Sequence, residues 1–333
     1  MKICTITCHR VYNYGASLQA YALQNYLEGK GHTVKIIDYR PWYLNMRYNF
    51  WFIAPISRMY SVASRFWIIR FIYCLLKRRD ALKNYGRKRA FDNFTQQYLR
   101  LTDRSYNTLD SLKNMPPLAD LYIAGSDQIW NPDYNIPAFF LNFGRKDCRK
   151  IIYAASIGKG QLSCLEKKTY SKLLEFPDYI SVREDSAQKL ISSITEKNVE
   201  LVLDPTLLHQ QEYWMKKADD SSLNHRNYIF CYFLNLTDEK VKSANDFAKK
   251  NNCEVIAIPY LHNEVEKYTE KLEGKLLSEV NPADFLNLIR NAEAVITDSF
   301  HATVFSIIFQ KDFWCFGRNA GTYNMNTRLH TLL

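Results

Sequence analysis

The stretch AVITDSFHATVFSIIF, Ala294 to Phe309, decides how this chain folds. An apolar run reads as a strand, a polar break at Asp298, Ser299 and His301 interrupts it, and a second apolar run reads as a helix. A strand feeding a helix through so short a break is the repeating unit of a parallel α/β sheet. The first turn of such a helix presents unpaired N–H groups and a partial positive charge, a natural seat for an anion. A lone histidine in apolar surroundings is usually a satisfied core residue. His301 arrives with Asp298 and Ser299 at a strand–helix junction, which points to function.

The same alternation runs outward in both directions. KICTITC, TVKIIDY, DLYIAGS, KIIYAAS, YISVR and VELVLDP read as strands of a first α/β domain over residues 1–208, with a helix in ASLQAYALQNYLEGKG. A polar link, KKADDSSLNHRN, leads to a second α/β domain over residues 225–333, with strands YIFCYFL, CEVIAIP, AVITD and DFWCF and helices between them. The expectation is two Rossmann-like domains facing across a cleft, with ligands at the carboxyl ends of the strands. There is no repeat of fixed period and no low-complexity tract.

The composition, 47% hydrophobic and 14% aromatic with 11 Gly and 10 Pro, belongs to a folded chain and excludes disordered and fibrous classes. Eight cysteines are scattered without a C-x-x-C pair or a zinc-type cluster, so buried thiols in a reducing compartment are expected and no metal. The opening MKICTITC is a strand rather than a signal peptide, which makes the expected location cytoplasmic. The last residues, RLHTLL, carry no capping signal, and the natural chain is expected to continue past Leu333.

The formal charge of +10 is regional: residues 1–100 hold 17 Lys and Arg against 4 acids. Between Arg47 and Arg89 stand 11 bases and one acid, Asp80, interleaved with aromatic and aliphatic residues, a basic aromatic insertion over about residues 47–100. Arg58, Arg65 and Arg70 break the apolar run before it could span a bilayer. It reads either as an interfacial helix on anionic lipid or as a buried helix followed by a solvated basic one. No nucleic-acid motif accompanies the charge, and no nucleic-acid partner is expected.

Other polar breaks fall at strand ends. Asn13, Tyr14 and Gly15 turn the chain into the first helix; the turn is either plain or a close approach to a ligand. Gly125, Ser126 and Asp127 follow an apolar strand, with Trp130 and Asn131 just beyond: polar groups for hydroxyls and a ring for a sugar face, or the cap of a short helix. Arg183 and Glu184 end another strand, where an arginine can clamp a carboxylate or phosphate. Asp204, in LDPTLL, reads as a structural turn residue. None of the common nucleotide or nucleophile-elbow fingerprints is present.

Taken together, NYGASLQAYALQ, AGSDQIWNP, YAASIG, SVREDS, LDPTLL and ITDSFHATVFSIIF, in this order and spacing, resemble the polysaccharide pyruvyl transferase family. The resemblance runs from about Ile3 to about Phe316. It implies a GT-B-like arrangement, with an acceptor side in the first domain and a donor side in the second. It also implies transfer of pyruvyl from phosphoenolpyruvate to two hydroxyls of a sugar in a surface or capsular polysaccharide precursor, with a cyclic ketal and phosphate as products and no cofactor.

The resemblance implies donor binding by Arg183, Ser299, Phe300 and His301, with His301 as general acid and Asp127 or Asp298 as base. Asn13, Tyr14, Gly15, Ser126, Asp127 and Trp130 are expected to meet a glycan or lipid-linked oligosaccharide acceptor, and the enzyme to sit at the inner membrane face. Some relatives carry Arg-Leu-His where this chain has Ser299-Phe300-His301, and often Gly where it has Ala302. One cation is therefore missing, and helix N–H groups or another Lys or Arg must replace it. The rival readings are a GT-B glycosyltransferase using a nucleotide sugar and a non-catalytic membrane-associated subunit.

Overall fold

Seven parallel strands make the first sheet: β1 (Lys2–Ile6), β2 (Thr33–Tyr39), β3 (Leu101–Tyr106), β4 (Leu121–Ala124), β5 (Arg149–Ala155), β6 (Tyr179–Val182) and β7 (Val199–Leu201). Their order is β3-β2-β1-β4-β5-β6-β7, so the winding reverses between β1 and β4. The computed structural model describes residues 1–41, 60–133, 136–145, 147–260, 268, 271–320, 323–324 and 326–333. The start of the basic aromatic insertion, up to residue 59, lies outside the described residues. The central strand β4 is buried at all four positions, as expected for a parallel sheet covered on both faces.

The helices accompanying this sheet are α1 (Tyr14–Gly29), α2 (Tyr60–Arg65), α3 (Trp67–Lys83), α4 (Tyr85–Tyr98), α5 (Leu109–Asn114), α6 (Cys164–Leu173) and α7 (Asp185–Ser192). Asn13 caps α1 by accepting from the Ala16 N–H. The insertion read from the sequence is thus helical where described, and β3 after it is an edge strand paired with β2. Its residues, LTDRSY, are too polar to announce a strand.

The second sheet has five parallel strands in the order β10-β9-β8-β11-β12: β8 (Tyr228–Tyr232), β9 (Glu254–Ala257), β10 (Gly274–Leu276), β11 (Ala294–Thr297) and β12 (Asp312–Cys315). Around it pack α8 (Gln211–Ala218), α9 (Asp238–Asn251), α10 (Pro282–Asn291) and α11 (Phe300–Ile308). Here the winding reverses between β8 and β11, and the junction after β11 carries Asp298, Ser299 and His301. A hairpin of β13 (Asn319–Ala320) and β14 (Tyr323–Asn324) and a final helix, α12 (Thr327–Leu332), complete the chain. No described helix is long and apolar enough to cross a membrane.

One hydrophobic cluster joins the two sheets. Tyr14 of α1 stacks on Phe285 of α10 with ring centroids 4.5 Å apart and meets Phe91 of α4 and Tyr232 of β8. Its hydroxyl donates to the Val280 carbonyl. Arg87 of α4 donates to the Tyr14 hydroxyl and the Tyr12 carbonyl, so one base of the insertion is buried between the domains.

Candidate active site

Four strand ends converge where the domains meet. β4 leads to Ser126 and Asp127, β6 to Arg183, β7 to Asp204 and β11 to His301. The β4 exit is tightly shaped: Gly125 has φ +134°, and a Cβ there would stand 1.9 Å from the Tyr153 carbonyl oxygen. Asp127 itself holds φ at +75°, a region that side chains other than glycine rarely occupy.

Arg183 is the hub. Its Nη1 donates to Asp204 Oδ2 at 2.5 Å and its Nη2 to Asp127 Oδ1 at 2.9 Å, while its Nε is buried without a hydrogen-bond partner. Asp204 is fully committed. Its Oδ1 accepts from the Thr206 N–H and hydroxyl, its Oδ2 also accepts from Ser126 Oγ, and His301 Nε2 stands 3.7 Å away. Burial would raise the Asp204 carboxyl, but His301 and Arg183 outweigh it and hold the group far below the ordinary range. For Asp127 too, burial is outweighed, by Arg183 first and then by His301 and Arg328.

His301 enters from the other domain, in the first turn of α11, whose N-cap is Ser299. Its Nε2 has no hydrogen-bond partner. On the opposite edge of the ring, a Cβ on Gly15 would lie 1.9 Å from His301 Nδ1, so the glycine at the start of α1 makes room for the imidazole. Gly15 therefore serves His301; the close approach expected at this turn is to a side chain of the facing domain.

Phe300 gathers the cations. Arg183 Cζ lies 4.6 Å from its ring centroid, Arg328 Cζ 5.9 Å, and the His301 ring stands edge-on at 5.1 Å. Arg328, on α12, is buried; its terminal nitrogens bond the neutral amide of Gln128, with the amide turned to face oxygen toward them, and its Nε is unpartnered. No described carboxylate pairs with it. Burial, then the like charge of Arg183, push its guanidinium down to about 10. Glu184 and Asp127 act on it only at a distance, and a buried cation without a directly bonded carboxylate is held at a cost that an incoming anion would reduce.

Sequence reading missed two participants. Arg328 sits in a polar tail with no strand end to mark it, although the missing cation in Ser299-Phe300-His301 called for a substitute. Asp204 was read as a turn residue, and its Asp-Pro-Thr context does fit a cap; only the fold turns its other oxygen toward Arg183 and His301. Glu184, which ends the same strand as Arg183, is buried and accepts from Ser156, Ile157 and Gly158.

Several expected residues lie elsewhere. Tyr14 is sealed in the interdomain core, and Trp130 is buried flat against Phe140 with its indole N–H on the Phe139 carbonyl, so neither ring offers a face to a sugar. Ser126 is buried and spent on the Ala154 carbonyl and Asp204. Asn13, half-buried, caps α1. Asp298 accepts from the Leu234 and Asn235 N–H groups and from Lys240 Nζ at 2.6 Å. Both its oxygens are engaged, an arrangement suited to bracing the β8–α9 turn rather than taking a proton. Among the described residues no group of His, Cys, Asp and Glu is arranged to hold a metal ion.

Two parallel-sheet domains that meet at a cation-rich junction of strand ends define a GT-B-like fold. Among solved structures, the chain is similar to the S. aureus MnaA–UDP co-structure (11% identity, TM-score 0.52, covering 99% of this chain and 87% of that one). It is likewise similar to a putative UDP-N-acetylglucosamine 2-epimerase from Listeria monocytogenes (11%, 0.51, covering 100% and 87%). The UDP-GlcNAc 2-epimerase from Neisseria meningitidis, bound to UDP-GlcNAc, is a further neighbour (11%, 0.50, covering 100% and 85%). At such identity the likeness is one of fold. No curated protein sequence matches the chain. The family model for polysaccharide pyruvyl transferase matches residues 13–319, and the chain belongs to that family.

Proposed function

We propose that the protein transfers pyruvyl from phosphoenolpyruvate to two hydroxyls of a glycan acceptor, forming a cyclic ketal and releasing phosphate. The observation that carries this reading is the gathering of Arg183, Arg328 and His301 about the Phe300 ring, each with a buried nitrogen that makes no hydrogen bond, although Glu184 stands 3.9 Å from Arg183 Nε and Asp204 3.7 Å from His301 Nε2. A small, multiply charged anion carrying carboxylate and phosphate suits two guanidiniums and a helix N-terminus.

In this scheme Arg183 and Arg328 hold the donor, and Phe300 sets the spacing of their guanidiniums. Protonated His301 delivers its proton to the methylene carbon, which makes the neighbouring carbon electrophilic. A sugar hydroxyl adds there and loses its proton to Asp127, phosphate departs carrying that proton, and the second hydroxyl closes the ring, giving its proton to His301 and restoring the imidazolium. Asp204 positions both Arg183 and His301 without touching the donor. The acceptor is a glycan or lipid-linked oligosaccharide, handled at the cytoplasmic face of the membrane.

The test is phosphate release from phosphoenolpyruvate by purified protein with glycoside acceptors, followed by mass spectrometry. The expected product is heavier by one pyruvic acid less one water. Thermal stabilisation by UDP-sugars with none by phosphoenolpyruvate would overturn the donor and favour a nucleotide-sugar transferase.

A further inference from the structure

Helix α3 is two-faced in an unusual sense, because the apolar face is the one turned outward. Its Cys74, fully buried, and Tyr73 pack with Ala63 of α2. The opposite side shows Trp67 (76% exposed), Ile68, Phe71, Ile72, Leu75 and Leu76 (76%). These residues recur at i, i+1, i+4, i+5, i+8 and i+9, which at 3.6 residues per turn covers about half the circumference without a polar interruption. Phe66, just before the helix, is exposed as well. A soluble surface does not ordinarily leave such a continuous stripe in water.

We infer that this face of α3 is a docking surface for an anionic lipid bilayer, lying in the plane of the headgroup boundary. Three observations favour lipid. The stripe is rich in aromatic residues, which settle at that boundary. Arg65, on α2 just before α3, is exposed, and the segment from Arg47 to Arg89 holds 11 bases and one acid. The same charge opposes a second copy of this chain, because a symmetric pair would bring two such segments together. The helix spans 17 residues and does not qualify as a membrane span, so it lies on the bilayer rather than crossing it.

The docking helix connects to the interdomain core through α4. α3 packs on α4, and α4 carries Arg87 into the interdomain core and Asp92 to the Tyr12 hydroxyl, beside the start of α1. The docking surface rests on the geometry of α3 alone; its use in presenting a lipid-borne acceptor rests on the reaction proposed above.

The test is flotation of the full chain with vesicles of phosphatidylglycerol and phosphatidylcholine, or of phosphatidylcholine alone, at low and high salt. Expected is binding to the anionic vesicles that weakens with salt, and that falls at least about tenfold in the double variant Ile72→Asn, Leu76→Asn. The variant should keep its melting temperature, and its phosphate release on a water-soluble acceptor should match the parent. Failure of the parent to float overturns the dock whatever the enzyme does. Equal flotation of the variant, or a dimer in lipid-free solution that the variant converts to monomer, would also overturn it. Flotation as expected with no phosphate release would sink the proposed reaction and leave the dock standing.

Discussion

Gly15 and His301 belong to different domains and fit as one object. A methyl group at Gly15 would overlap the imidazole from Nδ1 at 1.9 Å to Cε1 at 2.5 Å. Gly15→Ala is expected to displace the ring and lower kcat by about a hundredfold, at a stability cost of about 1 to 3 kcal/mol, read by turnover and thermal melting. Unchanged turnover would remove His301 from the reaction. Arg328 makes the opposite trade. Its buried charge is a liability without ligand, so Arg328→Met should raise the ligand-free stability by about 1 kcal/mol and abolish thermal stabilisation by phosphoenolpyruvate. A variant less stable than the parent yet still stabilised by the donor would contradict that assignment.

At the scale of elements, the junction of β11 and α11 divides its polar residues between two tasks. Ser299 caps the helix and His301 projects from its first turn, while Asp298 turns back to the start of the β8–α9 loop. Lys240, on α9, is almost as buried as its partner Asp298. Asp298→Asn should therefore cost about 3 kcal/mol of stability by leaving a buried cation short of its counter-charge. Well below the melting point, its kcat should stay within about tenfold of the parent. A large loss of kcat with an unchanged melting curve would restore Asp298 as a proton acceptor.

For the whole molecule, the coupling of the domains through charged groups makes stability depend on pH. Asp204 and Asp127 have carboxyls held below the ordinary value of about 3.9. The unfolded chain thus binds more protons in acid than the folded one, and stability rises with pH through that range. The contribution is fully present above about pH 5 and is lost as pH falls toward the folded-state values. Denaturant melts from pH 6 to pH 3 should show this slope, and Asp204→Asn should flatten it by up to about one proton, with a lower stability at pH 7. An identical slope in the variant would mean that Asp204 titrates in the folded protein as it does in the unfolded chain, and a steeper one that it is held protonated there.

The alternation of apolar strands and helices, and the polar breaks at their ends, were legible residue by residue. Apolar periodicity is a local property, and it placed β1, β2, β4 to β9, β11 and β12 in the chain. It overlooked β3 and β10, edge strands whose polar residues find their pairing only in the sheet, and the short hairpin of β13 and β14. Arg183 and His301 could be singled out for the same local reason, each interrupting an apolar run at a strand end. What the residues around them do was decided in three dimensions. Tyr14 and Trp130 look like ligand residues in sequence, but aromatic rings gain most from burial, and the packing of α1 on α10 and of Trp130 on Phe140 claimed them. Arg328 carries no local mark and Asp204 only that of a turn, because a charge acquires its meaning from the charges brought beside it. The sequence by itself determined where the chain changes direction and where it is polar; only the tertiary structure decided which of those polar groups face one another across the domains.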